Sequence, residues 1–124
     1  MTQLNQVYKC AICGNIVEML HTGAGELVCC EQPMNLLVAK KNNEGQEKHV
    51  PVIIKNKNTI TIKIGAEPHP MIDEHYIEWI EAIANKQVYR KFLKPNDLPQ
   101  AEFNIDSNNV VGRCYCNVHD LWSS

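Results

Sequence analysis

From residue 49 onward the chain repeats apolar and polar positions with the short period of β-strands. Thr59-Ile60-Thr61-Ile62-Lys63-Ile64 alternates strictly, and Val50-Pro51-Val52-Ile53-Ile54-Lys55 is short and rich in β-branched residues. Asn56-Lys57-Asn58 between them predicts a hairpin. Val88 to Leu93, Ala101 to Ile105 and Val110 to Tyr115 read as further short strands, with Pro95 and Pro99 marking turns. Asp73 to Asn85 is ambiguous. Ile77, Ile80, Ile83 and Ala84 have helical spacing, yet the length also allows a strand. Short strands separated by turns predict a small antiparallel sandwich. Residues 1–37 follow another pattern. They hold few large apolar residues, so this unit cannot build much core by itself. Residues 38–48 are polar, and Lys40 to Gln46 reads as an exposed connection into a second unit, 38–124.

Composition narrows the classes. Twelve basic and 14 acidic residues give a net charge of −2, without the basic excess that nucleic-acid binding uses. No apolar run approaches a membrane span. The first six residues are polar and unlike a signal peptide, so a cytoplasmic location is expected. Six cysteines in 124 residues is a high number. A reducing compartment disfavours disulfides, and a bridge between neighbours Cys29 and Cys30 would be strained. Metal ligation is the better account.

Cys10, Cys13, Cys29 and Cys30 form a C-x2-C-x15-C-C pattern. Four thiolates can enclose one tetrahedral ion, and zinc and iron both suit them. Gly14 directly after the C-x-x-C is the usual form of a metal knuckle. Bound metal would then supply part of this unit's folding energy.

The second unit carries His49, His69, His75 and His119 together with Cys116. Each histidine falls at an expected turn or strand end. His69 lies between Pro68 and Pro70, and Cys116-Asn117-Val118-His119 has ligand-like spacing. Four imidazoles and a thiolate are one ligand too many for ordinary tetrahedral zinc. They suit a square pyramid with one open face, and four neutral ligands favour Fe(II). A thiolate opposite the open position would donate electron density toward whatever binds there.

These residues resemble desulfoferrodoxin, the two-iron class of superoxide reductase. The resemblance runs through Val7-Tyr8-Lys9-Cys10, Gly25-Glu26-Leu27-Val28-Cys29-Cys30, Glu47-Lys48-His49-Val50-Pro51, His69-Pro70-Met71, His75-Tyr76-Ile77-Glu78-Trp79 and Tyr115-Cys116-Asn117-Val118-His119. It implies a mainly β protein: a desulforedoxin-like Fe(Cys)4 knuckle over 1–37, then an immunoglobulin-like antiparallel sandwich over 38–124. It makes 73–85 a strand. It implies two iron ions per chain, the second held by His49, His69, His75 and His119 with Cys116 axial. Glu47 and Lys48 are then catalytic-loop residues. Lys48 attracts superoxide and helps deliver protons, and Glu47 approaches the oxidised iron. The resemblance further implies a homodimer and re-reduction by an external donor such as rubredoxin. The first iron either relays electrons or holds the dimer together.

One departure is Cys114, which makes Cys114-Tyr115-Cys116. Residues two apart on a strand share a face, so Cys114 lies near the ligand or is simply a small buried apolar residue. His21 has no metal role. Two rival functions remain at this level: an electron carrier using both irons, and a zinc-stabilised interaction module.

Overall fold

The computed structural model describes all 124 residues. The chain divides into two compact units, Met1–Val38 and Ala39–Ser124.

In the first unit, β1 (Val7–Lys9) lies between β2 (Ile16–Glu18) and, after the hairpin of β3 (Val28–Cys29) with β4 (Gln32–Pro33), β5 (Asn35–Leu37). All pairings are antiparallel. Only Val7 and Cys10 are buried apolar residues here. That is the small core expected from the sequence, and burial of one valine offers only about 2 kcal/mol. Val17 and Leu36 flank Tyr8 across the sheet and are exposed.

The second unit opens with one helical turn, α1 (Gln46–His49), which the polar pattern of 38–48 did not announce. Then come β6 (Pro51–Asn56), β7 (Thr59–Ile64), β8 (Ile77–Ala84), β9 (Gln87–Phe92), β10 (Gln100–Phe103), β11 (Val111–Cys116) and β12 (Asp120–Ser123). One sheet has the order β10-β7-β6 and the other β12-β11-β8-β9, all antiparallel. Seven strands split three and four are the arrangement of an immunoglobulin-like sandwich. The β6–β7 hairpin turns through Lys57 in a left-handed conformation, φ 54°. Strict alternation on β7 sends Ile60, Ile62 and Ile64 into the core, where they meet Ile80, Ala82, Cys114 and Trp122 of the opposite sheet.

Within the ambiguous stretch 73–85, only Ile77–Ala84 is strand, β8, and its helical spacing has a local cause. Tyr115 pairs with Trp79 but Cys116 pairs with Ile77, so Glu78 is the extra residue of a β-bulge. The bulge turns Ile77 to the same side as Ile80, and both are fully buried. A three-residue repeat on one face is therefore compatible with a strand. On the opposite face Glu81 is fully buried and takes charged hydrogen bonds from its cross-strand partners Arg90 and Arg113. That network fixes β9, β8 and β11 side by side. No helix is long and apolar enough to cross a membrane.

Candidate metal centres

The first donor set grows out of two tight turns. Cys10-Ala11-Ile12-Cys13 folds back on itself: Gly14 N–H donates to Cys10 O at 3.0 Å and Cys10 N–H to Asn15 O at 2.9 Å. Gly14 takes φ +83°, where a side chain would be strained. Backbone N–H groups of Ile12 and Cys13 reach Cys10 Sγ at 3.4 and 3.5 Å, and that of Asn15 reaches Cys13 Sγ at 3.4 Å. The second turn joins β3 to β4 through Cys30 and Glu31, both left-handed at φ 52° and 63°. Two consecutive positive φ values make the tightest kind of hairpin turn. It brings the sulfurs of Cys29 and Cys30 to 3.9 Å from each other. Neither residue favours that conformation, which costs about 1–2 kcal/mol each.

All four sulfurs lie within 4.8 Å of one another. Cys13 and Cys29 are 3.6 Å apart. Thiolates bound tetrahedrally at about 2.3 Å stand about 3.8 Å apart. The N–H of Cys13 holds the Cys10 thiol down to about 6, while the neighbouring Cys13 and Cys10 side chains push Cys30 up to about 12. Bare, the cluster resists carrying several negative charges. A cation at its centre lets all four ionise. The donor set fits a tetrahedral metal.

The second set gathers side chains from four places along the chain. His49 ends α1, His69 lies in the loop after β7, His75 precedes β8, and Cys116 with His119 bracket the β11–β12 turn. Neighbouring rings stand 4.7 Å (His49–His69), 4.7 Å (His69–His75), 5.1 Å (His75–His119) and 4.8 Å (His119–His49) apart, while His49 and His75 are 6.3 Å apart across the middle. Adjacent rings are inclined by 63° to 84°, and the opposite pair His49 and His75 by only 30°. That is a square of four imidazoles. Donor atoms of His49, His75, His119 and Cys116 all lie within 4.8 Å of one another. His69 falls outside that set but closes the square, its Nε2 only 3.1 Å from Nε2 of His49.

Tautomers make this contact informative. His49 Nδ1 is 2.8 Å from Gly45 O, and His69 Nδ1 is 2.6 Å from Pro70 O. Each Nδ1 therefore carries the proton, and each Nε2 presents a lone pair inward. Two lone pairs facing at that separation need a cation between them. Imidazoles bound at right angles at about 2.1 Å would place their nitrogens about 3.0 Å apart. His75 Nε2 is buried and has no hydrogen-bond partner. His119 presents Nδ1, 3.9 Å from Cys116 Sγ. Burial lowers the basicity of His49, His69 and His75, with His69 reaching about 4, so these rings are neutral ligands near pH 7. Burial raises the Cys116 thiol, and the N–H groups of Val118 and His119 partly offset this. These donors suit one metal ion, which Cys116, fully buried, would approach from the core side. His119 is exposed and His75 half-buried, so the set is open to solvent on their side.

Glu47 and Lys48 both lie exposed on α1, beside His49. Lys48 is among the charges felt at His75. Cys114 points into the core and its Sγ donates to His49 O at 3.3 Å; burial holds its thiol well above the usual range. Three further residues stand at the site, and sequence reasoning singled out none of them for a role there. Trp122 stacks on His49 at 4.5 Å and its Nε1–H donates to His119 O at 2.9 Å. Lys40, expected to be an exposed connection, bridges to Trp122 through its backbone and donates from Nζ to His119 O at 3.1 Å. Asn117 bonds across to the segment carrying His75. Such contacts join distant parts of the chain, and only C-x-x-H drew attention to Asn117.

Fold and donor sets together define a small β metalloprotein with two different non-haem centres. Residues 2–37 match the family described as desulfoferrodoxin, N-terminal domain, and residues 41–124 match the desulfoferrodoxin family. A desulfoferrodoxin homolog of Archaeoglobus fulgidus is 56% identical over 124 residues, 100% of this chain and 99% of that protein. The desulfoferrodoxin of Nitratidesulfovibrio vulgaris is 50% identical over 119 residues, covering 96% and 94%. In structure, a superoxide reductase from Treponema pallidum shares the fold at TM-score 0.76 and 23% identity, covering 96% and 95%. A one-iron superoxide reductase from Giardia intestinalis matches at TM-score 0.55 and 27% identity, over 63% of this chain and 95% of that one.

The chain belongs to the desulfoferrodoxin family. Its two donor sets are the two iron centres of that family.

Proposed function

We propose that this protein is a superoxide reductase, converting superoxide to hydrogen peroxide at the second centre. The observation that carries this reading is the square of four imidazoles, backed by the buried Cys116 sulfur and open to solvent past His75 and His119. The superoxide reductase of Giardia intestinalis shares this fold, which supports the same chemistry here.

Iron held there would supply the one electron that superoxide needs. The chain's own residues do the rest. His49, His69, His75, His119 and Cys116 are the ligands we assign to it. The carbonyls of Gly45 and Pro70 keep the Nδ1 protons in place, so the Nε2 atoms stay available as donors. Lys48 offers an exposed positive charge that draws in the superoxide anion, an effect that raises encounter rates by about 10- to 1,000-fold. It also helps water deliver the two protons of the net change, superoxide plus one electron plus two protons giving hydrogen peroxide. Glu47, on the same turn, supplies a carboxylate that covers the entrance after turnover.

We assign residues 1–37 as the desulforedoxin-like domain, with Cys10, Cys13, Cys29 and Cys30 as its ligands, and 38–124 as the catalytic domain, with 38–48 joining them. Cys13 and Cys30 are exposed, which suits electron entry from a small carrier such as rubredoxin. The exposed Val17, Leu20, Val28 and Leu36 favour a homodimer through the first unit. Six unpaired thiols favour the cytoplasm.

Pulse radiolysis of the reduced protein tests the activity. One peroxide per superoxide and no oxygen is the expected result; oxygen release with half the peroxide would point to dismutation instead. Lys48→Ile should slow the second-order step about tenfold at low salt. An unchanged rate would remove Lys48 from steering.

A further inference from the structure

The four imidazoles are not held in the same way. The rings of His49 and His69 are oriented by Nδ1 bonds to backbone carbonyls. His119 is held through its own carbonyl, which accepts from both Trp122 Nε1 and Lys40 Nζ. The ring of His75 has no such partner, and its buried Nε2 is unpaired. Its orientation therefore depends on its backbone.

That backbone is gripped by one side chain. Tyr76 N–H donates to Asn117 Oδ1 at 2.9 Å, and Asn117 Nδ2 donates to Glu74 O at 3.1 Å. The main chain of Asn117 adds a third bond, its N–H donating to Tyr76 O at 3.2 Å. His75 is the residue between the two that the amide holds. Asn117 itself lies between Cys116 and His119, two other ligands of the set. On the far side, Ile72 and His75 exchange backbone bonds at 3.1 Å each way, so the segment is fixed at both ends.

We infer that Asn117 is a positioning residue. Its amide locks the His75 segment to the Cys116–His119 turn and so sets where His75 stands relative to the other donors. Only an amide does this fully, because one end must accept from Tyr76 N–H and the other must donate to Glu74 O. An aspartate keeps the acceptor and loses the donor. The inference rests on the second donor set being a metal site, and its test separates the two ideas.

Metal-free full-length wild-type, Asn117→Ala and Asn117→Asp proteins are titrated with cobalt(II), with the Cys116 thiolate-to-cobalt absorption reporting the second centre. Partners that orient metal ligands are worth about 10- to 100-fold in affinity. Asn117→Ala should lose that much at the second centre, with a shifted band, and no change at the first centre. Asn117→Asp should fall between. Exchange of the Tyr76 amide in the metal-free proteins gives a readout independent of metal: slow in wild type and Asn117→Asp, fast in Asn117→Ala. If Asn117→Ala binds cobalt(II) at the second centre like wild type, with an unshifted band, the positioning role is wrong. If that variant does not fold, Asn117→Asp decides: weaker binding supports the role and wild-type binding overturns it. Failure of the wild-type protein to take cobalt(II) at the second centre would overturn the metal site itself, and the positioning role with it.

Discussion

At the scale of single residues, the second centre is a matter of where protons sit. A histidine ligand must be neutral and must present the correct nitrogen. Burial secures the first condition for His49, His69 and His75. The carbonyls of Gly45 and Pro70 secure the second for His49 and His69. Cys114, the departure noted in the sequence, belongs to this layer of support and not to the donor set. Its thiol is fully buried and hydrogen-bonded to the carbonyl of His49. Cys114→Val keeps an apolar side chain but leaves that carbonyl without its donor. The expected loss is about 1–3 kcal/mol in urea unfolding, with Cys114→Ser losing less because a hydroxyl still donates. A valine variant as stable as wild type would show that the thiol only fills space.

At the scale of elements, turns rather than strands bring donors together. The left-handed pair Cys30 and Glu31 aims two adjacent cysteines at one point. The bulge at Glu78 lets Ile77 stay in the core directly opposite Cys116, at the end of β11 where the ligand stands. The α1 turn places Glu47, Lys48 and His49 in succession, and Gly65 is what lets it dock. Gly65 has φ +86°, and a Cβ there would stand 2.3 Å from Glu67 O and 2.7 Å from the Lys48 carbonyl. All the atoms in the way are backbone, so the α1 turn would have to move. Gly65→Ala should cost at least about 2 kcal/mol in stability, from left-handed strain and overlap together. It should also weaken metal binding at the second centre, measured by the same cobalt(II) titration. A variant with wild-type stability would mean that the turn is less constrained than its packing suggests.

At the scale of the whole molecule, the two units draw stability from different sources. The second has a continuous core, including Ile60, Ile62, Ile64, Ile77, Ile80 and Trp122. The first buries Val7 and Cys10 and little else, and it holds two non-glycine residues in left-handed turns at its donor set. Metal ligation is the remaining source of folding energy for such a unit. Stripping both centres with a strong chelator should unfold residues 1–38 while the sandwich of 39–124 stays folded. Amide exchange resolved by residue would show protection lost in β1, β2 and β5 and kept in β7, β8 and β11. Full protection of the first unit without metal would show that its small core is sufficient.

The sequence by itself determined the local features. Alternation on Thr59–Ile64 fixed that strand's inward face, because side chains on a strand alternate between faces. C-x-x-C-G and the adjacent Cys29-Cys30 marked the first donor set, because its geometry is built within two short turns. The chemical type of the second set was legible too, since imidazoles and a thiolate gathered at turns have few other uses. Tertiary structure alone decided how those donors are held. Trp122 on His49, Lys40 on His119, Cys114 under His49 and Asn117 across to Glu74 and Tyr76 are contacts between segments far apart in the chain. It also decided what Ile77 and Ile80 meant. Their spacing reads as helical until a bulge, set by pairing with β11, puts both on one face of a strand. Periodicity reports which residues are buried, but pairing between strands determines the path of the backbone that buries them.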